Sequence, residues 1–204
     1  MGRRPTYELE DVYRASVGIF KSQGFHSVSV SDLLQATGLN RFALYEKFGG
    51  KEGLFYDTLD YYHRIMVKGE LLGPLYRPTA SLNSVIRMLR ALRRINKNPD
   101  NRPGCLIMNA NIELGGTDKR VSEAVTFVVG TFREAIENAL VQAEAKGELH
   151  GPYSAPELAR RSALNIQAFF SLAYISRDAA DQLLAQVIDE VNTWREARVP
   201  VGAA

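Results

Sequence analysis

The chain has 204 residues, 46% of them hydrophobic, and its 25 Lys/Arg against 23 Asp/Glu leave a formal charge of +2. That is enough apolar matter for one large or two small cores, and too little net charge to demand a polyanion across the whole surface. A lone cysteine, Cys105, excludes a disulfide framework and fits a reducing compartment. Because the basic start at Arg3 and Arg4 is not followed by a signal-peptide apolar run, and no stretch of about 18 apolar residues occurs, a soluble cytoplasmic chain with no membrane partner is expected.

Charge is distributed unevenly. Residues 1–51 carry seven Lys/Arg against five Asp/Glu, residues 52–97 eight against four, and residues 98–204 ten against fourteen. Phosphate contact is therefore expected from the first half.

No period-2 apolar stretch bounded by turn residues is found, and Gly and Pro punctuate helical patterns throughout, so the expected class is all-α with about nine helices. A first helix over 7–23 places Leu9, Val12, Tyr13, Ser16, Ile19 and Phe20 on one face and stops at Gly24. Ser29-x-x-Asp32 is a capping box that opens a second helix with Leu33, Leu34 and Thr37 inward, ended by Gly38 in the left-handed position. Asn40 caps a third, over 41–47, anchored by Leu44 and Phe48. Two short helices about a tight turn, backed by a longer one, form a helix-turn-helix whose projecting member fits the major groove of B-DNA. A fourth helix is expected from about Gly50 to Glu70, with Leu54, Phe55, Thr58, Tyr62 and Ile65 along one side.

Gly73-Pro74 and Pro78 interrupt the chain before a helix over 81–97 with Val85, Ile86, Leu89 and Leu92 inward. A short helix fits 105–114, and a long one fits 118–146 with Val121, Val125, Val128, Phe132, Ile136, Ala139 and Leu140 inward, ended by Gly147. Ser154-Ala-Pro-Glu157 is a second capping box. The helix it opens is apolar around most of its circumference, and a last helix over 179–195 repeats apolar residues at Leu184, Val187, Val191 and Trp194. Surplus apolar surface on both late helices predicts a homodimer through residues 156–197.

With these elements in view, the chain resembles the TetR/AcrR family of bacterial transcriptional regulators. The likeness is carried by GFHSVSVSDLLQATGLNRFALYEKFGGKEGLF in the first 60 residues, then by helix number and by PGCLIMNANIEL at 103–114. It departs from the family's usual pattern in having Gly50 where a capping Ser or Asp is common, and Phe42 and Glu46 on the third helix. The resemblance implies a helix-turn-helix DNA-binding domain at 1–51 and a ligand-binding and dimerisation domain at 52–204. It also implies a homodimeric repressor that binds a palindromic double-stranded operator until a small-molecule effector releases it.

Carried onto this chain, Ser29, Tyr45 and Lys51 become phosphate contacts, while Arg41, Phe42 and Lys47 face the groove. Arg41 and Lys47 also read as an ordinary solvated face, and Arg3 and Arg4 as either a minor-groove arm or a plain basic terminus. Candidate effector contacts are Tyr62, Met66, Met88, Cys105, Asn109, Phe127, Phe169 and Phe170, residues that serve equally as core. His26, His63 and His150 stand too far apart in the sequence to suggest a metal, and no cofactor motif occurs.

Cys105 follows Pro103-Gly104 at a helix start beside Arg102, a setting that lowers a thiol pKa. An electrophile- or oxidant-sensing regulator is the alternative this opens, against an inert buried thiol. A cysteine-dependent enzyme lacks a partner histidine motif, and a helical adaptor without DNA binding conflicts with the presence of Ser29, Tyr45 and Lys51.

Overall fold

A computed structural model describes residues 7–99 and 104–195, all helical or loop among those residues. Arg3, Arg4 and Arg102 lie outside them. The contacts divide the chain into a first unit, up to Val67 together with Cys105–Thr126, and a second, from Lys68 to Gly104 and from Phe127 onward.

In the first unit, α1 (Leu9–Gln23) packs against α2 (Val30–Thr37), α4 (Lys51–Tyr61) and α6 (Leu106–Leu114), while α3 (Arg41–Phe48) packs on α4. The predicted inner faces close this core: Val12, Phe20, Leu33, Leu44, Leu54 and Phe55 are fully buried, and the Phe20 ring meets Phe55 edge-on at 5.0 Å. Leu9, expected inside, is 38% exposed because α1 begins only there and its first turn overhangs the core.

Two long-range ties complete the unit. Glu113 on α6 accepts a hydrogen bond from the His26 backbone N–H at 3.2 Å, and a Cβ on Gly24 would collide with that carboxylate. The Tyr56 hydroxyl donates to Asp118, whose other oxygen accepts the Arg120 and Val121 backbone N–H groups at 2.9 and 3.2 Å and so caps α7 (Lys119–Ala145). Beside this carboxylate the Tyr56 phenol is held well above its ordinary pKa, chiefly by the hydrogen bond to Asp118, and Asp118 is held below its own.

The α4 pattern does not continue as an α-helix to residue 70. At Tyr62 it widens into a π-helix, Tyr62–Leu71. Each residue then turns through a smaller angle, the 3.6 period fails, and His63 and Val67 turn inward while Ile65 is 37% exposed.

The second unit contains a 3-10 turn (Gly73–Tyr76), α5 (Leu82–Lys97), the remainder of α7, α8 (Ala155–Ile175) and α9 (Arg177–Thr193). Helix α9 packs on both α5 and α8. Its apolar repeat, Leu184, Val187, Val191 and Trp194, is buried within the protomer, so α9 lacks the surplus apolar surface expected of it. The surplus lies on α8. There Leu164 is 58% exposed and Ile175 81% exposed.

Polar ties fix α9 to α5. The Arg93 guanidinium donates two hydrogen bonds of 2.8 Å to Asp181, Lys97 approaches the same carboxylate at 3.3 Å, and the Arg177 guanidinium donates to the Asn96 and Asn98 carbonyls. The Arg93 hydrogen bonds hold the Asp181 carboxyl below its usual pKa, so its contribution to stability is present above the unfolded value of about 3.9 and is lost as pH falls through the lower folded value. Asp181→Asn should therefore destabilise the protein at pH 7 by roughly 1–2 kcal/mol, seen as a Tm lower by about 3–6 °C. In thermal melts taken at decreasing pH, the difference from the parent should shrink below about pH 4.

Candidate nucleic-acid interface

The helix-turn-helix is built by local hydrogen bonds at each helix end. At α2 the Ser29 hydroxyl donates to Asp32 at 2.6 Å and accepts the Asp32 N–H at 3.1 Å, while Asp32 accepts the Ser29 N–H at 2.9 Å. Both hydrogen bonds from Ser29 lower the Asp32 pKa. Gly38 ends α2 in the left-handed conformation, φ 69°, and Leu39 fills the core from within the turn. Asn40 then accepts the Ala43 N–H at 2.8 Å and starts α3.

Two side chains of α3, Leu44 and Phe48, face inward. The others present a continuous outer surface: Arg41, Glu46 and Lys47 are exposed, Phe42 is 74% exposed and Tyr45 50%. A large aromatic ring left this open on a charged surface has no packing role within the protomer.

The turn from α3 to α4 depends on three glycines whose joint role sequence reading missed. Gly49 is left-handed at φ 74° and its N–H donates to Tyr45, while Gly50, at φ 109°, donates to the Leu44 carbonyl. A Cβ at Gly50 would lie 3.2 Å from the Tyr45 ring, and one at Gly53 would collide with the Phe48 carbonyl oxygen. The backbone of α4 thus rests directly on the end of α3. Gly50 departs from a capping residue because only glycine adopts its φ without strain. It provides no side-chain cap to the first α4 turn.

Lys51 sits 4.5 Å above the Phe25 ring, with its ammonium 3.5 Å from the His26 carbonyl. Those contacts lean the charge toward the α1–α2 loop, which leads to Ser29. Ser29 itself is engaged: its hydroxyl donates to Asp32, and a phosphate contact donated by it requires that hydroxyl to turn. Phe25, His26 and Glu113 position this loop and were not anticipated. The only sequence signal was Gly24, whose bare α-carbon admits Glu113.

The effector candidates fall in both units. In the first, Cys105 and Asn109 are buried, Met66 is half-buried, and the Tyr62 hydroxyl hydrogen-bonds the Cys105 thiol. Burial holds the Tyr62 pKa well above its ordinary value. Burial also raises the Cys105 thiol, outweighing the Met108 and Ile107 N–H groups that pull the other way, which favours the inert buried thiol over the activated alternative. In the second, Met88 is buried, Phe169 and Phe170 touch at 5.1 Å, and Phe127 is 64% exposed. Among the described residues no His/Cys/Asp/Glu cluster suited to a metal occurs, and no helix is long and apolar enough to cross a membrane.

Residues 12–57 match the model of the bacterial regulatory proteins of the tetR family, and residues 81–191 match that of the tetracyclin repressor-like C-terminal domain. An uncharacterized HTH-type transcriptional regulator of Bacillus subtilis (strain 168), YezE, is 26% identical over 188 residues, covering 89% of this chain and 92% of its own. The HTH-type transcriptional repressor ComR of Escherichia coli (strain K12) is 25% identical over 150 residues, 72% of this chain and 70% of its own. Among solved structures, a cysteine mutant of the TetR family regulator CifR complexed with double-strand operator DNA superposes with TM-score 0.75 at 22% identity, over 94% of this chain and all of that one. Reduced E. coli NemR superposes with TM-score 0.78 at 14% identity, over 93% and 97%.

The glycine contact is open to a direct comparison. Gly53→Ala should destabilise the protein by about 2 kcal/mol or more, since backbone must shift to admit the methyl. Gly18→Ala on α1, where nothing lies within 4 Å, should stabilise by up to about 1 kcal/mol. Urea denaturation of both variants beside the parent reads the two signs.

Proposed function

Because this chain belongs to the TetR family of bacterial regulatory proteins, we propose that its DNA-binding activity takes the form of a homodimeric repressor released by a small molecule. Two α3 helices enter successive major grooves of a palindromic operator, with half-sites about 34–36 Å apart or a multiple of that. Arg41 and Phe42 read bases, Lys47 faces the groove, and Tyr45, Lys51 and, once its hydroxyl turns from Asp32, Ser29 hold phosphates. A small molecule entering the effector domain changes the spacing of the two α3 helices, and a shift of a few Å is enough to cost affinity. The outward surface of α3 carries this reading: exposed cationic and aromatic side chains stand on a helix whose inward residues are consumed by the core.

The names of relatives support the same direction, since ComR is described as a repressor and CifR was solved on operator DNA. No catalytic role is assigned, because Cys105 is buried and its thiol pKa is raised. Cytoplasmic placement follows from DNA as the partner.

Support for the dimer comes from α8. Leu164, Ala168, Ser171 and Ile175 recur at intervals of four, three and four, are all exposed, and form one stripe with small residues at its middle where another helix can approach closely. Leu164→Glu should shift the protein to monomer in sedimentation velocity and abolish high-affinity operator binding, and a variant that stays dimeric removes this face from the model.

Fluorescence anisotropy with the DNA upstream of the chain's own coding region tests the contacts. Lys51→Ala should weaken specific and nonspecific binding together and reduce the salt slope by about 1. Tyr45→Ala should weaken both with the slope unchanged. Arg41→Ala should cost about 1–3 kcal/mol on the operator alone, and an equal loss on unrelated DNA contradicts its base-reading role.

A further inference from the structure

We propose that Glu46 is a specificity-determining residue of α3: its carboxylate accepts from the 4-amino group of a cytosine and so fixes one C·G pair in each half of the operator. This rests on the reading that α3 enters the major groove, and it names a base pair that one side chain selects there.

Leu44 and Phe48 are the buried side chains of α3 and set which way the helix faces. At 3.6 residues per turn, each position is rotated by about 100° from the one before it. Glu46 then points about 180° away from the mean direction of that buried pair, and Phe42, one turn earlier, lies within about 40° of the same crest. Arg41, Tyr45 and Lys47 fall to the sides, each less than about 90° from the core-facing direction. A helix laid in a groove reaches deepest with its crest, and its flanks lie nearer the walls. The crest of α3 is an exposed aromatic ring and an exposed carboxylate.

Nothing inside the protomer accounts for that carboxylate. Other acidic side chains on helix surfaces pair with a cation four residues away: Glu10 with Arg14, Asp60 with Arg64, Glu123 with Lys119 and Glu137 with Arg133. Around Glu46 the positions three and four residues away are Phe42, Ala43, Gly49 and Gly50, and among the described residues no hydrogen bond or ion pair reaches it. It also sits in the last turn of α3, where the helix dipole disfavours a negative charge.

Inside a groove, an ionised carboxylate is repelled by the phosphates of both strands and can only accept. The major-groove edges offer two donors, the adenine N6 and cytosine N4 amino groups. The adenine amino group stands between two acceptors, its own N7 and the O4 of the paired thymine. That of cytosine has an acceptor on one side only, the O6 of the paired guanine, with the ring C5–H on the other. A group with two acceptor oxygens is therefore opposed least at cytosine, and phosphate repulsion becomes a penalty on the other bases. An amide in the same place donates as well as accepts, which matches the N6 and N7 of adenine.

That difference makes the test. Binding sites are selected from a randomised duplex pool with the full chain, with Glu46→Gln and with Glu46→Ala, and their affinities are read by fluorescence anisotropy. The parent should fix a C·G pair at one position of each half-site. Glu46→Gln should admit A·T at that position, and Glu46→Ala should accept all four pairs there with the rest of the motif kept. Replacing that C·G pair should weaken the parent about 5–100-fold and Glu46→Ala by less than about 2-fold. A motif that all three proteins share at every position, or a Glu46-dependent position that carries A·T in the parent, overturns the proposal and leaves α3 as a base reader. A parent that enriches no sequence from the pool removes the α3 reading itself, and the role of Glu46 with it.

Discussion

A helix of eight residues held by two inward side chains does not keep an angle by side-chain packing alone, and α3 has only Leu44 and Phe48 to hold it. What fixes it is backbone against backbone. The Phe48 carbonyl closes on Gly53, Gly49 and Gly50 return hydrogen bonds to the last turn, and the Tyr45 ring lies along the bare face of Gly50. A helix docked this way can turn nearly all its other residues outward, which is how a small domain presents a cationic and aromatic surface and still closes a core. The capping hydrogen bonds of Ser29 and Asn40 set where the helices begin, and the glycines set how they meet.

The same unit shows how distant segments reach the interface. Glu113 lies 87 residues beyond His26 and accepts its N–H; Asp118 receives the Tyr56 hydroxyl and caps α7. Lys51, over Phe25 and near the His26 carbonyl, shares the loop that Glu113 holds. A displacement of α6 would therefore be felt at the α1–α2 loop and at Lys51. Charge-assisted hydrogen bonds of this kind depend strongly on geometry, which suits them to a coupling role.

In the second unit, burial decides between surfaces that looked alike. Helices α8 and α9 both carry more apolar residues than one stripe needs, but α9 is enclosed by α5 and α8, leaving α8 with the exposed stripe. Burial likewise weighs between the two readings of Cys105, toward the inert thiol. The helix start supplies the N–H groups that favour a thiolate, but removing the sulfur from water outweighs them.

Short-range chemistry was legible from the amino-acid order: the capping boxes at Ser29 and Ser154, the left-handed stop at Gly38, the terminator at Gly147, the 3.6-residue apolar period and the basic bias of the first half are all properties of residues within a turn or two of each other. These suffice for an all-helical chain with an N-terminal helix-turn-helix and a resemblance to one family. Only the tertiary structure decided that the α4 helix widens at Tyr62 and turns Ile65 outward, that α9 is enclosed, and that Glu113 reaches the α1–α2 loop. Each depends on which surfaces meet across tens of residues, and a local periodic pattern carries no information about the partner that a given face will find.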